Sequence, residues 1–273
     1  MIETILVATD GSEAASAAER FAIAITSRLR ARLLALSVIE DRIVAGLTGK
    51  GLGIPAPSLE GLEAFLSARA EAACRRVAEQ ARAQGIECGA ETPHGVADDR
   101  IVERAKTSDL LVLGRDGLHA DHRSALIGST VDAVLRKTNK SAVVVPRGAE
   151  FRGGLLLAFD GSPGSRIAAR LTVELAGRLQ QPVHLFVDSK DKGRAVARFD
   201  EARSLLGNLP VAVRESSSTL GRPDVKIIDA AKEAGASLIV MGAFGRSRIT
   251  DYFLGSNSAA VVRTSPIAVL LAR

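Results

Sequence analysis

The sequence predicts an α/β protein made of two tandem copies of one domain, each a mainly parallel sheet with helices on both faces. Three observations predict it. Runs such as Thr4–Thr9 (TILVAT) are apolar without alternation, as strands buried on both faces are. Alanine-rich segments with a 3.6-residue period separate these runs, and alternating β and α elements imply right-handed parallel crossovers. The whole pattern then returns half a chain later.

Taken in order, the first copy opens with strand TILVAT. Residues 12–31 (SEAASAAERFAIAITSRLRA) follow as a helix, with Ser12 as the expected N-cap and Glu13 suited to the first turn. LLALSVI, residues 33–39, is the second strand. Gly46–Gly61 is rich in Gly and Pro and reads as a surface loop. Residues 62–85 form a long amphipathic helix ending at Gly85, a suitable C-cap. IECGAETP is a strand, DDRIVERAKT a helix and DLLVLG a strand. A glycine loop, the helix TVDAVLRKT and the strand SAVVVP complete the copy.

In the second copy Asp160-Gly161-Ser162 repeats Asp10-Gly11-Ser12 at an offset of 150, and Val187 aligns with Val38 at 149. Gly221 and Asp224 match Gly95 and Asp98 at 126, and Gly255-Ser256 matches Gly128-Ser129 at 127. The fall in offset corresponds to 23 residues missing from the second copy where the first carries its Gly/Pro-rich loop. The expected domains are residues 1–147 and 152–273, joined by the short polar seam RGAEFRGG. The final strands, SAVVVP and PIAVLLA, are apolar throughout, and an exposed apolar edge invites aggregation. Two copies in one chain suggest that each covers the other's last strand about a pseudo-twofold axis.

Composition limits the function. Hydrophobic residues make up 47% of the 273, while aromatics are 3% and Trp is absent, so the core is aliphatic. No run approaches the ~18 apolar residues of a membrane span, and the N-terminus enters a strand directly, which points to a cytoplasmic protein. Cys74 and Cys88 match no metal or redox spacing and read as reduced packing residues. The first 147 residues carry 19 basic and 19 acidic side chains, the rest 17 and 12, so the net charge of +5 lies in the second copy. That excess suits an anionic ligand or a solvated face. There is no aromatic-studded basic stripe, so nucleic acid is not expected as a partner.

The chemistry concentrates where glycine loops follow strands. Open parallel sheets bind ligands beyond the carboxyl ends of their strands, where strand order reverses. Gly242 directly follows SLIVM, and the loop runs through Gly245 and Arg246 to Gly255-Ser256 at the start of a helix. Backbone N–H groups there can approach phosphate, the helix N-terminus favours negative charge, and Ser256 and Ser258 carry hydroxyls. For glycines alone, a tight turn and a helix cap would be a sufficient account. The spacing, however, is G-x2-G-x9-G-S, after an apolar strand in a domain that opens with AFDGS.

That combination resembles the universal stress protein family, over both copies. The resemblance implies two tandem Rossmann-like (adenine nucleotide α-hydrolase-like) domains, each a five-stranded parallel sheet. It also implies ATP held without a Walker loop, with Mg²⁺ as the accompanying ion. By the family's pattern, Asp160 lies near the adenosine end with Ala158 before it, and Val187 contacts adenine through its backbone. Gly242, Gly245, Gly255 and Ser256 hold phosphates, with Arg246, Asn257 and Ser258 close by. The first-copy equivalents are Ala8, Asp10, Val38, Gly114, Gly117, Gly128, Ser129 and Thr130. There the last spacing is ten rather than nine, and Asp116 and Asp121 would repel phosphate unless Mg²⁺ or Arg115 and Arg123 compensate. The second copy is therefore expected to be the better ATP site.

The expected role is an ATP-binding regulatory or stress-response protein, a homodimer or the partner of another protein, hydrolysing ATP slowly at most. A nucleotide-free interaction scaffold with degenerate sites is the alternative. The loop HADH, residues 119–122, has no third well-placed ligand, so no metal site is expected there. No G-x-S-x-G elbow occurs, and the S-G-G-x-D-S loop of the related hydrolases is absent after strand one.

Overall fold

The structure is a computed structural model and describes residues 1–41, 56–116, 128–219, 221–243 and 254–273. The first half runs β1 (Thr4–Ala8), α1 (Ser16–Leu29), β2 (Arg32–Leu36), β3 (Ile39–Glu40), α2 (Ala56–Arg82), β4 (Cys88–Glu91), β5 (His94–Gly95), α3 (Ala97–Ala105), β6 (Leu110–Gly114), α4 (Ser129–Lys137) and β7 (Ala142–Val145). The second runs β8 (Leu155–Ala158), α5 (Pro163–Leu179), β9 (Val183–Asp188), α6 (Lys192–Leu206), β10 (Val213–Ser218), α7 (Pro223–Glu233), β11 (Leu238–Gly242), α8 (Ser256–Thr264) and β12 (Ala268–Ala272).

Ten strands form one sheet in the order β10-β9-β8-β11-β12-β7-β6-β1-β2-β4, and β3 pairs with β5 separately. Each half contributes five parallel strands in the same order, read outward from the middle. The two apolar terminal strands meet there antiparallel, Val144 opposite Val269 and Val143 opposite Leu270, which removes both edges from solvent. The strand order is symmetric about this pair, as a pseudo-twofold axis requires.

The apolar runs of β1, β6, β7, β8, β11 and β12 are buried because helices cover both faces. One face packs on α1, α2, α5 and α6 around Phe21, Val77, Ala168 and Ala202. The other packs on α3, α4, α7 and α8 around Ile101, Val134, Ile227 and Val261. Both layers continue across the β7–β12 junction. The polar seam between the halves is anchored rather than loose: Phe151 is buried, meets the Phe21 ring edge-on at 5.5 Å and carries Arg28 over its face.

Two local expectations are corrected. Ser12 does not cap α1: its hydroxyl accepts from Ala15 N in a preceding turn, α1 begins at Ser16, and Glu13 stays outside the helix. In the second half Ser162 does act as N-cap, accepting from Ser165 N, so α5 begins a turn earlier by the repeat. Proline at the first position of α5, with its φ already helical, favours that earlier start. The end of the Gly/Pro-rich segment is helical, since α2 already starts at Ala56.

Candidate functional site

The order reverses between β1 and β6 in the first half and between β8 and β11 in the second. The sequence-predicted residues converge on these two crevices. Ala8 and Ala158 end their strands, and Asp10 and Asp160 follow two residues later. Each aspartate accepts from the serine two residues on, Ser12 N at 2.9 Å and Ser162 N at 3.0 Å, so both build the same Asx turn.

The glycine loops are closed at their bases by the same bond. Gly128 N donates to Arg115 O and Gly255 N to Ala243 O, both at 3.0 Å. Gly128 and Gly255 are the N-caps of α4 and α8, with near-identical torsions (φ −54, ψ 140 and φ −55, ψ 143) and no side-chain cap. Among the described residues no side chain caps the first-turn N–H groups of either helix, which lie beside the exposed Ser129, Ser256 and Asn257 and the half-buried Thr130. By sequence the first pair of anchors is one residue further apart than the second. Gly117, Asp121, Arg123, Gly245 and Arg246 lie outside the described residues, as does the HADH stretch.

Other members of the predicted set have structural duties. Ser258 is buried, and its hydroxyl donates to Gly242 O at 2.8 Å instead of facing a ligand. Gly242 is a close-packing position: a Cβ there would stand 2.6 Å from Gly164 C and 2.9 Å from Ser165 N, both backbone atoms of α5. At Gly114 the nearest atom, Asp116 O, would be 3.5 Å away.

Strand pairing also revises one equivalence. Thr9 N donates to Leu36 O and Phe159 N to Phe186 O, fixing an offset of 150 here rather than 149. Successive residues of a parallel strand face alternate neighbours. Ser37 N donates to Glu91 O, so Val38 presents its backbone toward β1 and the crevice. Ser189 N donates to Ser218 O, so Asp188 presents its backbone toward β8, and Val187 faces β10 with its side chain fully buried. Asp188, not Val187, is the positional partner of Val38. An alignment cannot see this, because strand parity and not residue likeness decides it.

Sequence reasoning also missed the polar groups behind the turns. Glu19, 1% exposed, accepts from Thr9 Oγ1 at 2.5 Å and takes Arg76 through both carboxylate oxygens, at 2.6 and 3.2 Å. Arg69 Nη2 donates to Asp10 O at 2.7 Å. In the second half, Arg198 Nη1 donates to Asp188 O at 2.5 Å, and burial pushes the Asp188 carboxyl above its usual range. Asp116 is paired with Arg115 at 3.3 Å. The one usable hint was an arginine falling on the inward stripe of a helix.

His94 lies 3.5 Å from Asp41 at the surface, and His184 Nε2 is 2.7 Å from Ser216 Oγ within the sheet. Burial lowers the His184 pKa. Among the described residues no three His, Cys, Asp or Glu side chains group as metal ligands. No helix among them is long and apolar enough to cross a membrane.

A family model described as "Universal stress protein family" matches residues 1–146 and 187–273. The chain is 24% identical to a universal stress protein of Synechocystis sp., with 100% of each chain covered. It is 26% identical to one of Mycolicibacterium smegmatis, over 98% of this chain and 96% of that one. The crystal structure of a universal stress protein from Archaeoglobus fulgidus shares the fold with a TM-score of 0.78 at 20% identity, covering 99% and 98% of the two chains.

Proposed function

Because the chain belongs to the universal stress protein family, we propose that it is an ATP-binding regulatory member, with nucleotide and Mg²⁺ at the carboxyl ends of the sheet strands. One observation carries this reading. Two loops with phosphate-loop spacing close on the same backbone bond and lead into helices capped by glycine, which leaves uncapped N–H groups beside exposed hydroxyls. That donor set fits a triphosphate: it supplies hydrogen bonds and a favourable field, and the Asp116 carboxylate at the base of the first loop is paired with Arg115. Mg²⁺ would neutralise phosphate charge. The Asx-turn aspartates Asp10 and Asp160 suit ribose hydroxyls, which donate, better than phosphate, which repels. Gly117, Gly245 and Arg246 complete the loops in this reading.

Phosphoryl transfer needs a positioned nucleophile or base as well as phosphate holders. The named residues supply holders, so turnover is expected to be slow at most and regulation the main role. A cytoplasmic location, a homodimer and a protein partner responding to the bound nucleotide belong to the same proposal. The alternative is a nucleotide-free scaffold with degenerate sites. Purified protein is denatured, the released small molecules are chromatographed, and refreshed protein is titrated with Mg·ATP. Adenine nucleotide in the supernatant and saturable binding support the reading. Neither nucleotide carried through purification nor binding of added Mg·ATP would leave the scaffold.

A further inference from the structure

We propose that the two crevices have diverged: the first half holds the nucleotide, and the second half keeps its crevice shut with its own groups. The inference rests on the ATP-binding reading above and adds which half performs it.

The strand ends come first. Val38 and Asp188 are the next carbonyls toward the crevice after the last ladder bonds from Thr9 and Phe159. In the second half that carbonyl is already taken by Arg198. Arg198 stands on the inward stripe of α6, Ala195–Arg198–Ala202–Leu206, which matches the stripe Ala70–Ala73–Val77–Ala81 of α2 in spacing and burial, at the offset of 125 that the strand register also gives. Where the first half places Ala73, a side chain with nothing to donate, the second buries a guanidinium to 8% exposure. A buried charge is tolerated when it is hydrogen-bonded, and Asp188 O provides that bond. Any planar base seeking that edge must first displace the arginine and leave its charge buried without this acceptor. The side chain differs as well: Asp188 replaces Val38 and is held by Ser218.

The strand end facing the glycine loop differs too. The earlier start of α5 brings Gly164 and Ser165 against Gly242, whereas Ala14 and Ala15 leave Gly114 ordinary contact distances. Ser258 spends its hydroxyl on Gly242 O, and its counterpart by the repeat is Val131. The objections to the first half are weakened where the structure describes them: both loop bases close on the same backbone bond, and Asp116 is paired with Arg115 at 3.3 Å. Asp121 lies outside the described residues.

The test titrates the full-length protein with Mg·ATP by calorimetry and repeats the titration with Ser129→Asp. Ser129 is the exposed first residue of α4, where an acid favours the helix but repels phosphate. One nucleotide per wild-type chain is expected, with affinity reduced at least tenfold in Ser129→Asp and in Thr130→Asp, which probes the same helix end. Two nucleotides per wild-type chain, or one that both folded variants retain, overturns the divergence and leaves the ATP-binding reading standing. No nucleotide on the wild-type chain overturns both.

Discussion

Gly242→Ala and Gly114→Ala are the same change at equivalent positions of the two halves, and the structure predicts opposite outcomes. Neither glycine has the left-handed backbone that would penalise a side chain, so space alone decides. At Gly242 the new methyl would lie 2.6 Å from Gly164 C, 2.9 Å from Gly164 Cα and 2.9 Å from Ser165 N. These are backbone atoms in the first turn of α5, and they can yield only if the helix moves. Overpacking of this kind costs about 1–3 kcal/mol. At Gly114 the methyl would meet Asp116 O at 3.5 Å and Ala15 Cα at 3.6 Å, ordinary contacts. Loss of unfolded-chain freedom then stabilises by about 0.4–1 kcal/mol. The same unfolded-chain gain accompanies Gly242→Ala, so the two variants should differ by the overpacking cost, about 1–3 kcal/mol, with Gly242→Ala the less stable. Urea unfolding of both beside wild type reads the difference as a shift in midpoint at constant slope. Equal midpoints, or a more stable Gly242→Ala, would refute the view that α5 is pressed onto the end of β11.

The buried Glu19 should be costly to lose: Glu19→Ala removes the shared acceptor of Thr9 and Arg76 and should destabilise by about 2–3 kcal/mol. This lies below the ~3–5 kcal/mol of a fully buried pair, because the Arg76 side chain is 39% exposed; a change under about 0.5 kcal/mol in urea unfolding would remove the network's importance. Burial pushes the Cys74 thiol up to about 11 from 9.0, so a thiol reagent at pH 8 should label Cys88 first and Cys74 only on unfolding. The folded state keeps that proton after the unfolded chain has lost it, so this group's contribution to stability falls as pH rises from 9 toward 11, by at most about 1.4 kcal/mol per unit. Hydrogen exchange should place the amides of Val143–Val145 and Val269–Leu271 among the slowest in the chain; rapid exchange there would contradict the antiparallel junction.

The sequence made the sheet legible because burial on both faces leaves uninterrupted apolar runs, and tandem repetition doubles each one. The junction was legible for a physical reason too: SAVVVP and PIAVLLA are too apolar to be left as edges. Helix starts were less legible. Asp-Gly-Ser occurs in both halves, yet Ser162 caps a helix while Ser12 caps only a turn, since Pro163 preorganises the backbone that Glu13 does not. The equivalence of Val38 and Asp188 was hidden because similarity favoured Val187, whereas hydrogen-bond parity follows the register with β8. Gly242 was recognised as special, but its closest neighbour is a helix backbone from 78 residues earlier in the chain, which no local motif contains.

These particulars separate what a glycine motif specifies from what a binding site requires. The 2-and-9 spacing fixes the length of a loop between two anchors, and the anchors prove indifferent to one added residue, since both bases close at 3.0 Å. Ligand access depends instead on groups outside the motif: the strand-end carbonyl, the helix stripe above it and the first turn of the following helix. All three differ between the halves. Arg198 takes the place of Ala73, Asp188 that of Val38, and α5 presses where α1 stands back. The half with the better motif is thus the half with the more obstructed crevice. The order of affinities should follow the crevice, because expelling a hydrogen-bonded buried guanidinium costs more than accommodating one residue in a loop.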